Sequence, residues 1–214
     1  MRRETAMYRV LTDKNAVDAA FEKIAPSLQD ECVKVGAKNA SAWTVCEFVY
    51  LYAEFEDDGS GSLKDLTDAF APEFRGILQT VAAPGTMRLM YHCIGNVRAD
   101  KSLIRRRVFA TVLKPDCAEE YFRRHQAVVD ARGDEVIDGP ETNFTIRCAD
   151  SKYIFGYCEL VKSYDHEPTE EEKASTVEWE TRQLGIMDWL TDDVDWMTGD
   201  KHEKMRGLFL QKGF

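Results

Sequence analysis

Apolar and polar residues along this chain follow two rhythms, one of about two residues and one near 3.6, and the rhythms recur in a fixed order. Residues 8–12, Tyr-Arg-Val-Leu-Thr, read as a strand. Over residues 15–35, Val17, Ala20, Phe21, Ile24, Leu28, Cys32 and Val35 share one helical stripe, and Gly36 is a stop signal. Strand-like runs at 40–46 and 48–55 precede a turn from Asp57 to Gly61. A second helix is expected over 63–81, broken by Pro84-Gly85, before a closing strand at 87–94.

The same order then returns. Residues 107–113 read as a strand with Phe109, Thr111 and Leu113 on one face and Val108, Ala110 and Val112 on the other. Pro115-Asp116 opens a helix that Gly133 ends. Runs at 143–148 and 153–161 make a hairpin, the acidic stretch 167–172 leads into a helix reaching about Leu190, and 205–211 is the final strand. Residue pairs support the duplication: Asn39 matches Asn143, and Tyr52-Ala-Glu-Phe55 matches Tyr157-Cys-Glu-Leu160.

Each half reads β-α-β-β-α-β, a ferredoxin-like order, so the fold class is α+β with tandem repeats at 7–94 and 105–212 and a linker at 95–104. A four-stranded sheet with both helices on one face leaves its other face bare, and that face must find a second layer. Two halves on one chain can cover each other as an intrachain, barrel-like sandwich. Two separate domains on a flexible linker are the alternative, which the short linker disfavours.

Composition narrows the function. With 214 residues, 44% hydrophobic and 31% charged, and only 6 Pro and 13 Gly, the chain is neither low-complexity nor collagen-like. A net charge of −10 argues against nucleic acid and anionic lipid as partners. No apolar run approaches the ~18 residues of a membrane span, and the first five residues lack a signal-peptide core. Of the six cysteines, Cys46, Cys93, Cys148 and Cys158 lie in apolar runs and none forms a C-x-x-C pair, so reduced thiols and a cytoplasmic location are expected.

Four histidines offer proton chemistry near neutral pH. His166 and His202 sit among charged residues and read as solvated, and His92 reads as a sheet residue. His125 stands apart: Ala118, Tyr121, Phe122, His125, Val128 and Val129 form one helical stripe, with Tyr121 and His125 a turn apart facing inward. The segment Glu119-Glu-Tyr-Phe-Arg-Arg-His125, following the strand Arg106-Arg-Val-Phe-Ala-Thr-Val-Leu-Lys-Pro-Asp116, resembles the opening of the L-rhamnose mutarotase family, and the resemblance covers about 105–211. It implies a dimeric α+β barrel of ferredoxin-like subunits that interconverts the anomers of a 6-deoxy sugar without metal or cofactor.

The same resemblance implies His125 as proton donor and places Tyr121, Asn143, Phe144, Ile186 and Met187 at the sugar, Phe144 standing where the family has Tyr. The family's Trp-Trp pair falls on Ile186-Met187, with Trp179 and Trp189 nearby in sequence, and the first half carries Lys23 or Ile24 in place of the histidine. The first half is therefore expected to be a scaffold and the chain to hold one pocket. A positioned proton donor is worth ~10²–10⁴-fold, which suits ring opening of a reducing sugar such as L-rhamnose or L-fucose. The partners expected are a monosaccharide and, for assembly, further copies of the chain. A sugar-binding protein without catalysis and a ferredoxin-like barrel monooxygenase are the alternatives.

Three other features read as structural. Lys101 and Arg105 to Arg107 are expected to neutralise acidic neighbours, with at least one of Arg123 and Arg124 pointing outward into a surface ion pair. Asp188, Asp192, Asp193 and Asp195 fit no metal-loop spacing. Gly59-Ser-Gly61 is a turn without the strand–helix context of a phosphate loop.

Overall fold

The computed structural model describes residues 1–133, 139–164, 166–190 and 205–213. The chain divides into two compact units, Met1–Met87 with Met205–Phe214, and Arg88–Lys204. The first contains β1 (Arg2–Val10), α1 (Lys14–Lys34), β2 (Lys38–Val45), β3 (Phe48–Phe55), α2 (Leu63–Phe70) and β4 (Leu78–Ala82). The second contains β5 (Arg88–Cys93), β6 (Ile104–Leu113), α3 (Ala118–Arg132), β7 (Glu141–Ala149), β8 (Tyr153–Val161), α4 (Glu170–Leu184) and β9 (Met187–Trp189). A last strand, β10 (Arg206–Leu210), returns to the first unit.

Two antiparallel sheets result, with the equivalent orders β10-β2-β3-β1-β4 and β5-β7-β8-β6-β9. Four strands of each follow the ferredoxin-like order, and the fifth comes from the other half of the sequence. The strands at 87–94 and 205–211, expected to close the first and second halves, have changed places: β5 pairs with β7, and β10 pairs with β2. Periodicity selects which residues become strands but leaves the choice between equivalent sheet edges open, because both edges offer the same unpaired backbone groups.

Local chemistry explains the helix bounds. Asp13 caps α1 by accepting the Ala16 N–H at 2.9 Å, and the expected stripe, Val17, Ala20, Phe21, Ile24, Leu28 and Cys32, is buried. Helix α2 stops at Phe70 rather than Val81 because Pro72 and Gly76, the latter at φ +76°, end it, which frees 78–82 to become β4 beside β1. Helix α4 likewise ends at Leu184, not Leu190, and Met187–Trp189 forms β9 beside β6. The linker is shorter than 95–104: Lys101–Leu103 is a 3-10 turn capped by Asp100, and β6 already starts at Ile104.

At matching places the two sheets carry the same irregularity. Asn39 (φ +53°) and Asn143 (φ +55°) take left-handed backbone, which asparagine tolerates better than most residues. Each creates a bulge in which two residues face one across the ladder. The Asn39 amide donates to Glu54 Oε1 at 2.8 Å beside the Tyr52 hydroxyl at 2.8 Å. The Asn143 amide donates to Glu159 Oε1 at 2.9 Å, and the Tyr157 hydroxyl donates to the same oxygen at 3.1 Å. Glu159, with 0% of its surface exposed, also takes Lys101 Nζ at 2.7 and 2.9 Å.

The first unit, for which a scaffold role is expected, holds a cavity of about 630 Å³ lined wholly by its own residues. Ala6, Ala40 and Ala42 stand where the second unit has Phe109, Phe144 and Ile146, by register and by distance from the bulge. Leu51 in the place of Gly156 returns part of the lost volume.

Lys101→Met leaves the Glu159 carboxylate buried without its cation, and removing one partner of a buried pair costs about 3 kcal/mol or more. Urea denaturation is expected to show that loss in midpoint, with part of it recovered in the Lys101→Met/Glu159→Gln double variant.

Candidate active site

Helix α3 begins without a side-chain cap, its first turn stabilised by Glu119 and Glu120 at the positive end of the helix dipole. Of its expected stripe, Ala118, Tyr121 and His125 are buried, while Val128 is exposed. The burial therefore centres on Tyr121 and His125. Arg123 and Arg124 turn to Glu120, at 2.6 and 2.8 Å.

The His125 ring is 7% exposed and framed by aromatic rings. Tyr121 stacks on it at 4.2 Å between centroids, and Tyr91 from β5 and Trp179 from α4 meet it edge-on at 5.6 and 5.3 Å. A second tier follows: Phe144 lies 5.3 Å from Tyr91 and 6.2 Å from Phe109, and Phe109 lies 6.2 Å from Trp189. Phe109 can lie down there only because its register partner is Gly156, where a Cβ would overlap the phenyl ring.

Electrostatics fix the state of the imidazole. His125 Nδ1 lies 2.9 Å from the Tyr121 carbonyl oxygen, which can only accept, so Nδ1 carries the hydrogen and Nε2 of the neutral ring is bare. Burial holds the imidazole below its ordinary pKa of 6.5; the Tyr121 carbonyl opposes that shift and the Arg124 charge adds to it. Burial also raises the Tyr121 and Tyr91 phenols, so both stay protonated donors.

Polar atoms accompany this apolar layer. Thr111 Oγ1, Trp189 Nε1 and both amide atoms of Gln183 are buried and have no hydrogen-bond partner among the described residues. Thr111 and Trp189 are register partners on β6 and β9, and Gln183 lies one turn beyond Trp179 on α4. A buried polar group left unpaired costs about 1–3 kcal/mol, so several in one layer mark a place suited to a hydroxylated ligand.

Several sequence-predicted residues therefore come together. His125, Tyr121 and Phe144 share one layer, with Trp179 and Trp189 supplying aromatic faces. Ile186 and Met187 belong to the same apolar cluster, on the segment after α4 and on β9 rather than in the helix. Asn143 does not join them, since its amide is spent on Glu159. Tyr91, Thr111 and Gln183 went unrecognised. Thr111 did carry a signal, a polar residue between Phe109 and Leu113 on an apolar face.

Elsewhere, His92 is exposed on β5, and His166 is exposed and paired with Glu172 at 2.9 Å. His202, Asp192, Asp193 and Asp195 lie outside the described residues. Among the described residues no three His, Cys, Asp or Glu side chains gather as a metal site, and no helix is long and apolar enough to cross a membrane. None of the six cysteines is in a disulfide; burial raises Cys32 to about 12 and Cys148 to about 11.

Residues 106–210 match the model of the L-rhamnose mutarotase family, in agreement with the resemblance carried by Glu119 to His125. Among curated proteins none matches. The chain is similar, at 10% identity and a TM-score of 0.49, to a structure from Lactobacillus acidophilus provisionally called a monooxygenase, covering 99% of this chain and 96% of that one. A second structure so called, from Fusobacterium nucleatum, is 10% identical with a TM-score of 0.47, covering 94% and 97%.

Two outcomes follow from the packing. Because the folded His125 binds its proton more weakly than the unfolded chain does, its contribution to stability is full above pH 6.5 and falls as pH drops below it. Proton NMR of the ring is expected to give a midpoint under 6.5, and His125→Phe to flatten that part of the stability–pH curve. Gly156→Ala forces Phe109 out of place, and overpacking of this kind costs about 1–3 kcal/mol, readable as a lowered melting temperature.

Proposed function

We propose that the second unit is a sugar mutarotase, an isomerase that interconverts the α and β anomers of a reducing 6-deoxy sugar of the L-rhamnose or L-fucose class. The observation that carries this reading is the neutral His125, with Nε2 bare in an aromatic layer inside the segment that matches the mutarotase family.

The tethered Nδ1–H gives His125 the role of base first, whereas the family resemblance casts it as donor. Nε2 takes the proton of the anomeric hydroxyl, the anomeric carbon–ring oxygen bond breaks, and the exocyclic oxygen becomes the aldehyde oxygen. The ring oxygen, leaving with the electron pair, takes the proton back from Nε2. Rotation about the bond between the first two carbons and the reverse sequence give the other anomer. One proton circulates and no electron acceptor is needed.

The remaining residues bind and orient. Tyr121 holds the imidazole plane by stacking. Trp179 and Phe144 offer faces to the C–H side of the sugar, and Thr111, Gln183 and the Trp189 N–H offer hydrogen bonds to hydroxyls. Ile186 and Met187 suit a methyl group where other hexoses carry a hydroxymethyl. Entry requires one wall to give way, and α4 is the weakest: Gln183 is its one buried residue, while α1 buries six apolar ones.

Magnetisation-transfer NMR between the anomers of L-rhamnose and L-fucose tests this. Protein-dependent exchange should fall ~10²–10⁴-fold in His125→Ala and should rise with pH through the His125 titration, as a base requires. Saturable sugar binding with unaccelerated exchange would instead select the non-catalytic sugar-binding reading.

A further inference from the structure

We propose that the first unit holds a second, independent ligand site: its cavity takes an amphipathic small molecule with an apolar body and one anionic head, a carboxylate or sulfonate. About 630 Å³ falls within the 300–1,000 Å³ typical of small-molecule pockets. Phe21, Ile24 and Leu28 of α1, Leu51 of β3, and Phe70 and Phe74 at and beyond the end of α2 wall it.

Three replacements of large side chains by alanine, at Ala6, Ala40 and Ala42, open this space where the second unit is filled. Phe21 of the wall stands eight residues after the N-cap of α1, as His125 does after that of α3, so the site offers hydrocarbon where the second unit offers a base. An apolar guest is what such a wall stabilises, at roughly 25 cal/mol per Å² of apolar surface buried.

The mouth supplies the charge. Arg75, in the turn after α2, lines the cavity and is exposed, and its guanidinium makes no hydrogen bond or ion pair among the described residues. Lys64 at the same rim is already paired with Asp68. That leaves Arg75 as the cation for an anionic head. The Tyr8 phenol and the Thr67 hydroxyl, both lining the cavity, add polar groups at the wall.

The test uses the full chain with 8-anilinonaphthalene-1-sulfonate as fluorescent probe and decanoate as competitor. One saturable site is expected, with decanoate displacing the probe. In methyl NMR, the resonances of Ile24, Leu28 and Leu51 should shift while those of Ile154 and Ile186 hold still. Ala42→Leu should weaken both ligands by about tenfold or more by filling the space. Arg75→Gln should weaken decanoate roughly three- to fivefold at low salt, as befits an exposed ion pair, and leave decanol binding unchanged. Absence of saturable binding to the folded chain overturns the site, and so do shifts centred on Ile154 and Ile186. Equal loss of decanoate and decanol in Arg75→Gln overturns the anionic head. The methyl shifts decide the location in the unaltered chain even if Ala42→Leu fails to fold.

Discussion

A buried carboxylate in each sheet decides where every side chain of the neighbouring strand points. Glu54 and Glu159 hold the amides of Asn39 and Asn143 in left-handed backbone, and each asparagine adds one residue to its strand. In a strand the faces alternate, so one inserted residue exchanges inside for outside beyond it. Phe144 reaches the helix side because of that insertion, and so do Ile146 and Cys148 after it. The aromatic layer around His125 is in this sense set by a hydrogen bond outside it.

From this common frame the units diverge by volume and by helix attachment. Phe109 lying over Gly156 and Phe144 beside Tyr91 fill the second unit to the point where His125 keeps little water. Alanines at the matching places hollow out the first. Helix α1 is anchored by an apolar stripe, whereas α4 relies on a capping box between Thr169 and Glu172 and on surface charge pairs. A helix held mainly by its own ends separates from its neighbours at low cost.

Much of this was legible in the sequence. The duplicated order, the stripe of α1, the inward face of His125 and Tyr121, and the Asn and Tyr-x-Glu pairs all follow from period and composition. What stayed hidden has identifiable causes. The exchange of β5 and β10 involves strands of similar pattern facing similar edges, so no local signal separates the two pairings. The cut after Phe70 was readable in Pro72 and Gly76, but Ile77, Leu78 and Val81 continue a helical stripe nearly as well as a strand. Asn143 stands where the resemblance expects a sugar-site residue and yet serves the bulge, because position in a motif does not reveal which group the amide meets. Tyr91 joined the site only once its strand changed sheets.

The exchanged edge has a consequence during biosynthesis. Residues 1–87 emerge from the ribosome long before 205–214, and until then β2 presents an open row of backbone amides and carbonyls. The nascent first unit is thus a half-finished sheet that waits on a segment made much later, exposed meanwhile to pairing with strands of other chains.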